Sequence, residues 1–164
     1  MKQLLKFSLV VCLFPTLFIA CSSSKDGTAA RKEVKGAWTL SSVTFSGITN
    51  PDQVKIQLFD DANLNCFAGS TWELPNNGYG SYTITKTNVG CTPGTRNIIW
   101  SYRNENGETI FQFKKLQEGI KAKKIEDGYK LKIVSATDEK LLMQSMMSFE
   151  GKNLTLDYNF VRKL

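Results

Sequence analysis

The chain contains four cysteines, Cys12, Cys21, Cys66 and Cys91, and no histidine. A cysteine thiol can act as a nucleophile, bind a metal, carry a lipid or form a disulfide. Histidine is the commonest general base and metal ligand, and its absence disfavours a cysteine–histidine catalytic pair and most metal centres. The thiol chemistry open to this chain is therefore mainly attachment and cross-linking.

The segment before Cys21 has the order of a secretory signal. A short basic start (residues 1–6) precedes an uncharged, mostly apolar stretch over residues 7–20, shorter than the roughly 20 residues that span a bilayer. Leu17-Phe18-Ile19-Ala20-Cys21 resembles the lipobox of bacterial lipoproteins, with Phe18 where Leu is usual. The resemblance implies cleavage before Cys21, lipid attachment to that cysteine and an outer-membrane location facing the periplasm or the cell surface.

An ordinary signal with a chance cysteine is the alternative interpretation of this segment. The polar run that follows, residues 22–27, favours the lipoprotein because it suits a flexible tether. The chain is therefore divided into a signal (1–20), a lipidated tether (21–33) and one domain (34–164). Loss of Lys2 and Lys6 lowers the formal net charge from +6 to +4. Because the basic residues are dispersed, they indicate a solvated surface and not nucleic-acid binding.

Cys66 and Cys91 are the cysteines left for cross-linking once Cys12 is removed and Cys21 is lipidated. In an oxidising compartment such a pair favours a disulfide, which would close a loop of about 25 residues and contribute roughly 3 kcal/mol. A reactive thiol is the rival interpretation, but residues 63–67 offer no base or cation to activate Cys66. Two cysteines without histidine are a poor zinc site, and no metal or cofactor is predicted.

Short β-rich segments separated by turn signals extend from Gly36 to the C-terminus. They predict an all-β, antiparallel up-and-down meander of about eight to nine strands, including one at residues 120–125, that forms a sandwich or a barrel. One short helix is predicted after the first strand, at residues 52–62, because Val54, Leu58 and Ala62 have helical spacing. In the last strand, alternate residues are apolar, namely Leu154, Leu156, Tyr158 and Phe160. One apolar face per strand favours closure into a barrel.

Gly36-Ala37-Trp38 opens the first strand, and Arg162 lies near the end of the last strand. This arrangement resembles the Gly-x-Trp signature of lipocalins and the arginine that packs over its tryptophan. The sequence is similar to lipocalin-like bacterial lipoproteins over residues 34–164, in the segments 66–74, 80–84, 96–100, 111–114 and 149–152. The resemblance implies a lipocalin-like barrel, closed at one end by Trp38, with a cavity for a ligand.

The first functional hypothesis is a monomeric binding protein with a small hydrophobic ligand. Its candidate pocket residues are aromatic residues and methionines, which suit an adaptable apolar site: Trp72, Trp100, Phe111, Phe113, Tyr129, Met143 and Met147. The alternative is a solid barrel that acts as a structural, protein-binding or glycan-binding module of the cell envelope. In this alternative, the lysines at 114–115 and 121–124 could contact anionic groups, although a solvated lysine face is the favoured interpretation.

An enzyme is not predicted. Asp60 and Asp61 are adjacent, so their side chains should point apart, and Glu73 has no identifiable partner for acid–base chemistry.

Overall fold

The computed structural model describes residues 33–47, 55–125, 128–149 and 151–163. The predicted signal, Cys21 and the tether up to residue 32 lie outside these ranges, as do residues 52–54 of the predicted helix. The described part contains ten strands: β1 (Gly36–Ser46), β2 (Gln57–Leu58), β3 (Ala62–Asn63), β4 (Thr71–Leu74), β5 (Tyr79–Ile84), β6 (Gly94–Glu105), β7 (Glu108–Lys115), β8 (Tyr129–Ala136), β9 (Lys140–Phe149) and β10 (Lys152–Arg162). It also contains a short helix α1 (Leu64–Phe67) and a 3₁₀ turn (Ala122–Lys124).

Eight of these strands form a closed antiparallel barrel in the order β1-β10-β9-β8-β7-β6-β5-β4. Consecutive strands from β4 to β10 are neighbours, and β1 closes the barrel by pairing with both β10 and β4. The predicted all-β class, the up-and-down meander and the lipocalin-like barrel are therefore confirmed, and the sandwich is excluded. The cylinder leaves none of the eight barrel strands with an unpaired edge.

The two-residue period of the strands determines which side chains fill the barrel. In β10 the predicted apolar set, Leu154, Leu156, Tyr158 and Phe160, is buried, whereas the alternate residues are more exposed. Two register shifts, between Leu40 and Ser42 in β1 and between Ile133 and Ser135 in β8, interrupt the regular ladders. Such irregularities bend and twist strands, which suits a sheet that curves into a cylinder.

The position of the predicted helix is wrong within the described residues. Residues 57–63 form a hairpin, β2–β3, and the short helix after the first strand is α1. Leu58 and Ala62, four residues apart, are cross-strand partners in this hairpin. That spacing also places two residues on one face of a helix, so the hydrophobic pattern did not distinguish the two structures.

The strand predicted at residues 120–125 is also absent. This segment connects β7 and β8 and includes the 3₁₀ turn. Because Phe111 and Phe113 of β7 pair directly with Leu131 and Tyr129 of β8, no ladder is open for a strand between them.

Candidate functional site

The barrel has two ends with different closures. At the Trp38 end, β1 begins and β10 finishes; at the hairpin end, β4, β6 and β8 begin, and the β2–β3 hairpin covers the opening. The hairpin forms a two-stranded sheet of its own and is not part of the barrel ladder. The structure therefore places the chain's own side chains at both ends of the interior.

At the Trp38 end, the indole of Trp38 is fully buried and its Nε1 donates a hydrogen bond to the Val34 carbonyl at 2.7 Å. The Cζ of Arg162 lies 4.0 Å from the centre of the Trp38 ring, within cation–π range. The guanidinium also donates to the carbonyls of Asp138 and Lys35, both at 2.8 Å. Arg162 therefore connects the β8–β9 turn to the segment before β1, over the buried indole.

Gly36 is required where it stands because its φ is +128° and because an added Cβ would lie 2.2 Å from Nη1 of Arg162. The guanidinium of Arg162 thus lies beside both Trp38 and Gly36, the other two residues of the lipocalin resemblance.

At the hairpin end, the ring of Phe59 enters the barrel from the tip of the β2–β3 hairpin. Phe59 and Asp60 have φ values of +54° and +46°, an uncommon conformation for residues other than glycine. Phe59 is only 7 % exposed. Its ring centre lies 5.0 to 6.0 Å from five other aromatic rings, namely Phe67, Trp72, Phe113, Tyr129 and Tyr158. The hairpin therefore fills the interior at this end with one phenyl ring inside an aromatic cage.

Asp61 connects the hairpin to the barrel wall. One carboxylate oxygen of Asp61 accepts from Nη2 of Arg96 at 3.0 Å, and the other lies 2.8 Å from Nε of Arg96. The hydroxyl of Tyr82 donates to Asp61 at 2.7 Å. The side chains of Arg96 and Asp61 are 18 % and 13 % exposed, so solvent only partly screens the attraction between their charges.

The neighbouring residues form a second set of contacts. The Tyr129 hydroxyl donates to the carboxylate of Asp60 at 3.0 Å. Nζ of Lys115 donates to the backbone carbonyls of Phe59 at 2.7 Å and Asp60 at 3.0 Å. Every donor in these rim contacts comes from a barrel strand and every acceptor comes from the hairpin tip.

Two tyrosines of the interior have altered acidity. Burial, followed by the hydrogen bond to Asp61, raises the pKa of Tyr82 above its ordinary value, and burial raises the pKa of Tyr158. The Tyr82 hydroxyl therefore remains a protonated donor at neutral pH.

These shifts predict a loss of stability in alkaline solution. Above the ordinary tyrosine pKa of 10.0, the unfolded chain releases protons that the folded chain retains, so the free energy of unfolding falls as the pH rises. Each such tyrosine contributes about 1.4 kcal/mol per pH unit in that range. Urea unfolding of Tyr158→Phe should show a correspondingly shallower decline above about pH 10. Tyr79→Phe, which changes an exposed ring, is the matched control, and equal slopes in wild type and Tyr158→Phe would contradict the prediction.

The predicted pocket residues lie in the interior but contact one another. Trp72, Trp100, Phe111, Phe113 and Met143 are buried, and Tyr129 and Met147 are half-buried. Ring centres are 5.5 Å apart for Trp72 and Phe113 and 5.7 Å apart for Trp100 and Phe111. These rings interdigitate, and Phe59 occupies the space beside Trp72 and Phe113. The Nε1 of Trp100 is buried without a hydrogen-bond partner among the described residues.

The disulfide predicted between Cys66 and Cys91 is present, with its sulfur atoms 2.02 Å apart. It joins α1, which follows β3 directly, to the loop between β5 and β6. The covalent bond therefore attaches the C-terminal side of the hairpin to a loop that joins two neighbouring barrel strands.

Within the described ranges, no helix has the length and apolar character that crossing a bilayer requires. The same part of the chain has no group of three or more Cys, Asp or Glu residues placed to hold a metal ion.

The sequence matches no protein-family model, and none of the curated proteins matches it. Among solved structures, it is similar to a lipocalin-like protein from Bacteroides uniformis ATCC 8492, at 14 % identity and a TM-score of 0.45. The match covers 80 % of this chain and 99 % of that chain. At such a score the likeness carries no weight of its own, and the lipocalin-like barrel is established by the strand pairing described above.

Proposed function

We propose that this chain is a lipid-anchored, lipocalin-like protein of the cell envelope that binds a small apolar ligand at the hairpin end of its barrel. The ligand takes the space that Phe59 occupies. Cys21 carries the lipid and anchors the protein in the outer membrane, facing the periplasm or the cell surface. The sequence before Cys21 supports this part of the proposal.

The observation that carries the binding site is the aromatic cage around Phe59. Five rings surround a side chain that belongs to the hairpin and not to a barrel strand. Because the hairpin shares no ladder with the barrel, Phe59 can leave the cage without breaking the pairing of the barrel strands. An aromatic, largely apolar site of this kind suits a small hydrophobic ligand.

Removal of the Phe59 ring should therefore increase the affinity of the barrel for apolar molecules. Burial of a phenyl ring contributes about 1.5–3 kcal/mol, so Phe59→Gly should bind a neutral apolar fluorophore such as N-phenylnaphthylamine about tenfold to a hundredfold more tightly than wild type. Glycine also accepts the positive φ of this position. Fluorescence titration measures the change, and Phe45→Gly, at the half-buried end of β1, is the matched control.

The same proposal predicts that protein purified from its own host carries an apolar compound that native mass spectrometry detects. Recovery of the domain without such a compound, together with equal probe binding by wild type, Phe59→Gly and Phe45→Gly, would count against a ligand carrier.

A solid envelope module is the second candidate, favoured by the interdigitated rings of the interior. Its contact surface would include an outer groove of about 460 Å³ lined in part by Ile99, Lys114, Lys123 and Lys130. Cross-linking in intact cells separates the candidates, because a single recurrent partner protein supports this second one. We propose no catalytic role, since Asp60 and Asp61 are engaged by the rim contacts.

A further inference from the structure

The tip of the β2–β3 hairpin combines an apolar group with an acidic one. The Phe59 ring lies inside the barrel, and the carboxylates of Asp60 and Asp61 lie immediately behind it at the rim. The backbone carbonyls of Phe59 and Asp60 add two further acceptors at the same place. In shape and charge, the tip resembles an apolar molecule with an anionic head.

The partners of this acidic group belong to four successive barrel strands. Tyr82 lies on β5, Arg96 on β6, Lys115 on β7 and Tyr129 on β8. Because these residues belong to strands that pair with one another in the barrel, withdrawal of the hairpin would not by itself remove them from the rim. They present two cations and two hydroxyl donors beside the aromatic cage.

The other acidic residues of the described part do not supply these cations with a carboxylate. Glu73 is paired with Lys163 on another part of the surface, Glu105 with Arg103 and Lys130, and Asp157 with Gln144. If the hairpin leaves, Arg96 loses its carboxylate partner and keeps the backbone carbonyls of Gly94 and Thr92. Lys115 loses the carbonyls of Phe59 and Asp60. A buried or half-buried cation without a partner is costly, and an anionic group on an incoming ligand would replace the lost carboxylate.

We infer that the ligand is an apolar molecule with one anionic head, a carboxylate or a phosphate monoester, and that the hairpin tip is a built-in competitor for its site. This inference rests on the proposed function and adds the head-group chemistry to it. The two-pronged contact between Arg96 and Asp61 is the geometry with which a guanidinium binds a planar carboxylate or a phosphate. The Tyr82 hydroxyl supplies a third donor.

The test uses three ligands with the same ten-carbon chain and different heads, namely decanoate, decyl phosphate and decanol. Each is titrated by calorimetry into Phe59→Gly protein, in which the competing ring is absent. Because a charge-assisted hydrogen bond is stronger than a neutral one, at least one anion should bind about tenfold more tightly than decanol. The tighter of the two anions identifies the head group.

Arg96→Gln in the same background should bring the affinity for the anions close to that for decanol and leave decanol unchanged. Arg103→Gln, on the same strand and paired with Glu105, is the matched control and should change neither affinity. Asp61→Asn should raise the affinity for the anions about tenfold, because the neutral amide competes less well for Arg96. Asp157→Asn, paired with Gln144, is the control for that substitution.

Wild-type protein provides an independent readout should a variant not fold. An increase in salt from about 50 to 500 mM should weaken the binding of the anions and not of decanol, since salt screens partly exposed charges. Equal affinity for anions and decanol, with no salt dependence, overturns the head-group inference and leaves the apolar site intact. No binding of any of the three by either protein overturns both the inference and the proposed function.

Discussion

Replacement of Trp38 by alanine is expected to lower the free energy of unfolding by about 3–5 kcal/mol, the usual cost of deleting a large buried aromatic side chain. The indole is fully buried at the closed end of the barrel and donates a hydrogen bond to the Val34 carbonyl. Its loss leaves a cavity, an unpaired carbonyl and a guanidinium without its stacking partner. Since a domain of this size is stable by only about 5–15 kcal/mol, the variant should approach the limit of folding.

Urea denaturation of a double-mutant cycle separates the parts of this effect. Arg162→Ala should cost about 2 kcal/mol through lost hydrogen bonds, and the Trp38–Arg162 coupling should be about 0.5–2 kcal/mol. Arg162→Lys keeps the charge but cannot reach the Asp138 and Lys35 carbonyls together. Tyr79→Ala removes an exposed ring and is the control. A Trp38→Ala cost no greater than that of this control would show that the closed end does not stabilise the barrel.

The strand pattern could be predicted from sequence because it depends on neighbouring residues. The alternation of Leu154, Leu156, Tyr158 and Phe160 indicates one buried face directly, and the Asn106-Gly107 turn fixes the return from β6 to β7. Closure of the barrel depends instead on the pairing of β1 with β4, across an inserted hairpin and helix. One apolar face per strand favoured that closure, and the resemblance of Gly36, Trp38 and Arg162 to the lipocalin signature also indicated it.

The hairpin end was not predicted because its contacts join residues far apart in sequence. Asp61 is 21 residues from Tyr82 and 35 residues from Arg96, and Asp60 is 69 residues from Tyr129. The adjacent carboxylates were predicted to be a poor catalytic pair, but their separate hydrogen-bond partners were not visible in the sequence. Phe59 was missed because the pattern around it was interpreted as a helix. A large apolar residue directly before two acidic residues, between Leu58 and Ala62, is the signal that could have indicated an inserted hairpin tip.

For the predicted pocket residues, too, the sequence indicated the orientation of the side chains but not their distant contacts. Their inward orientation follows from the strand period, and Trp72, Phe111 and Phe113 are buried as that period requires. Whether they surround a ligand or one another depends on which side chain enters from outside the barrel. In this chain the side chain that enters is Phe59. The hairpin inserted between β1 and β4 therefore decides whether the space beside the predicted pocket residues is filled, and the strand pattern does not.

Loss of the Cys66–Cys91 disulfide is expected to lower the free energy of unfolding by about 3 kcal/mol, because the bond closes a loop of about 25 residues and so restricts the unfolded chain. Cys66→Ser combined with Cys91→Ser should show this loss in urea denaturation. A reductant should have the same effect on wild type and none on the double variant. Equal stability of wild type and double variant would mean that the bond contributes nothing beyond the packing of α1.

The disulfide should also control the hairpin, since it holds α1 directly after β3 and α1 carries Phe67 of the aromatic cage. Without the bond, only noncovalent contacts oppose withdrawal of the hairpin, namely the rim contacts and the packing of Phe59 in the aromatic cage. The double variant should therefore bind N-phenylnaphthylamine several-fold more tightly than wild type under conditions where both are folded, because the state with an open cage is more populated. A chain that loses stability but gains no affinity would show that the cross-link stabilises the barrel without restraining the hairpin. A gain in affinity that Phe59→Gly does not increase further would place both effects at the same aromatic cage.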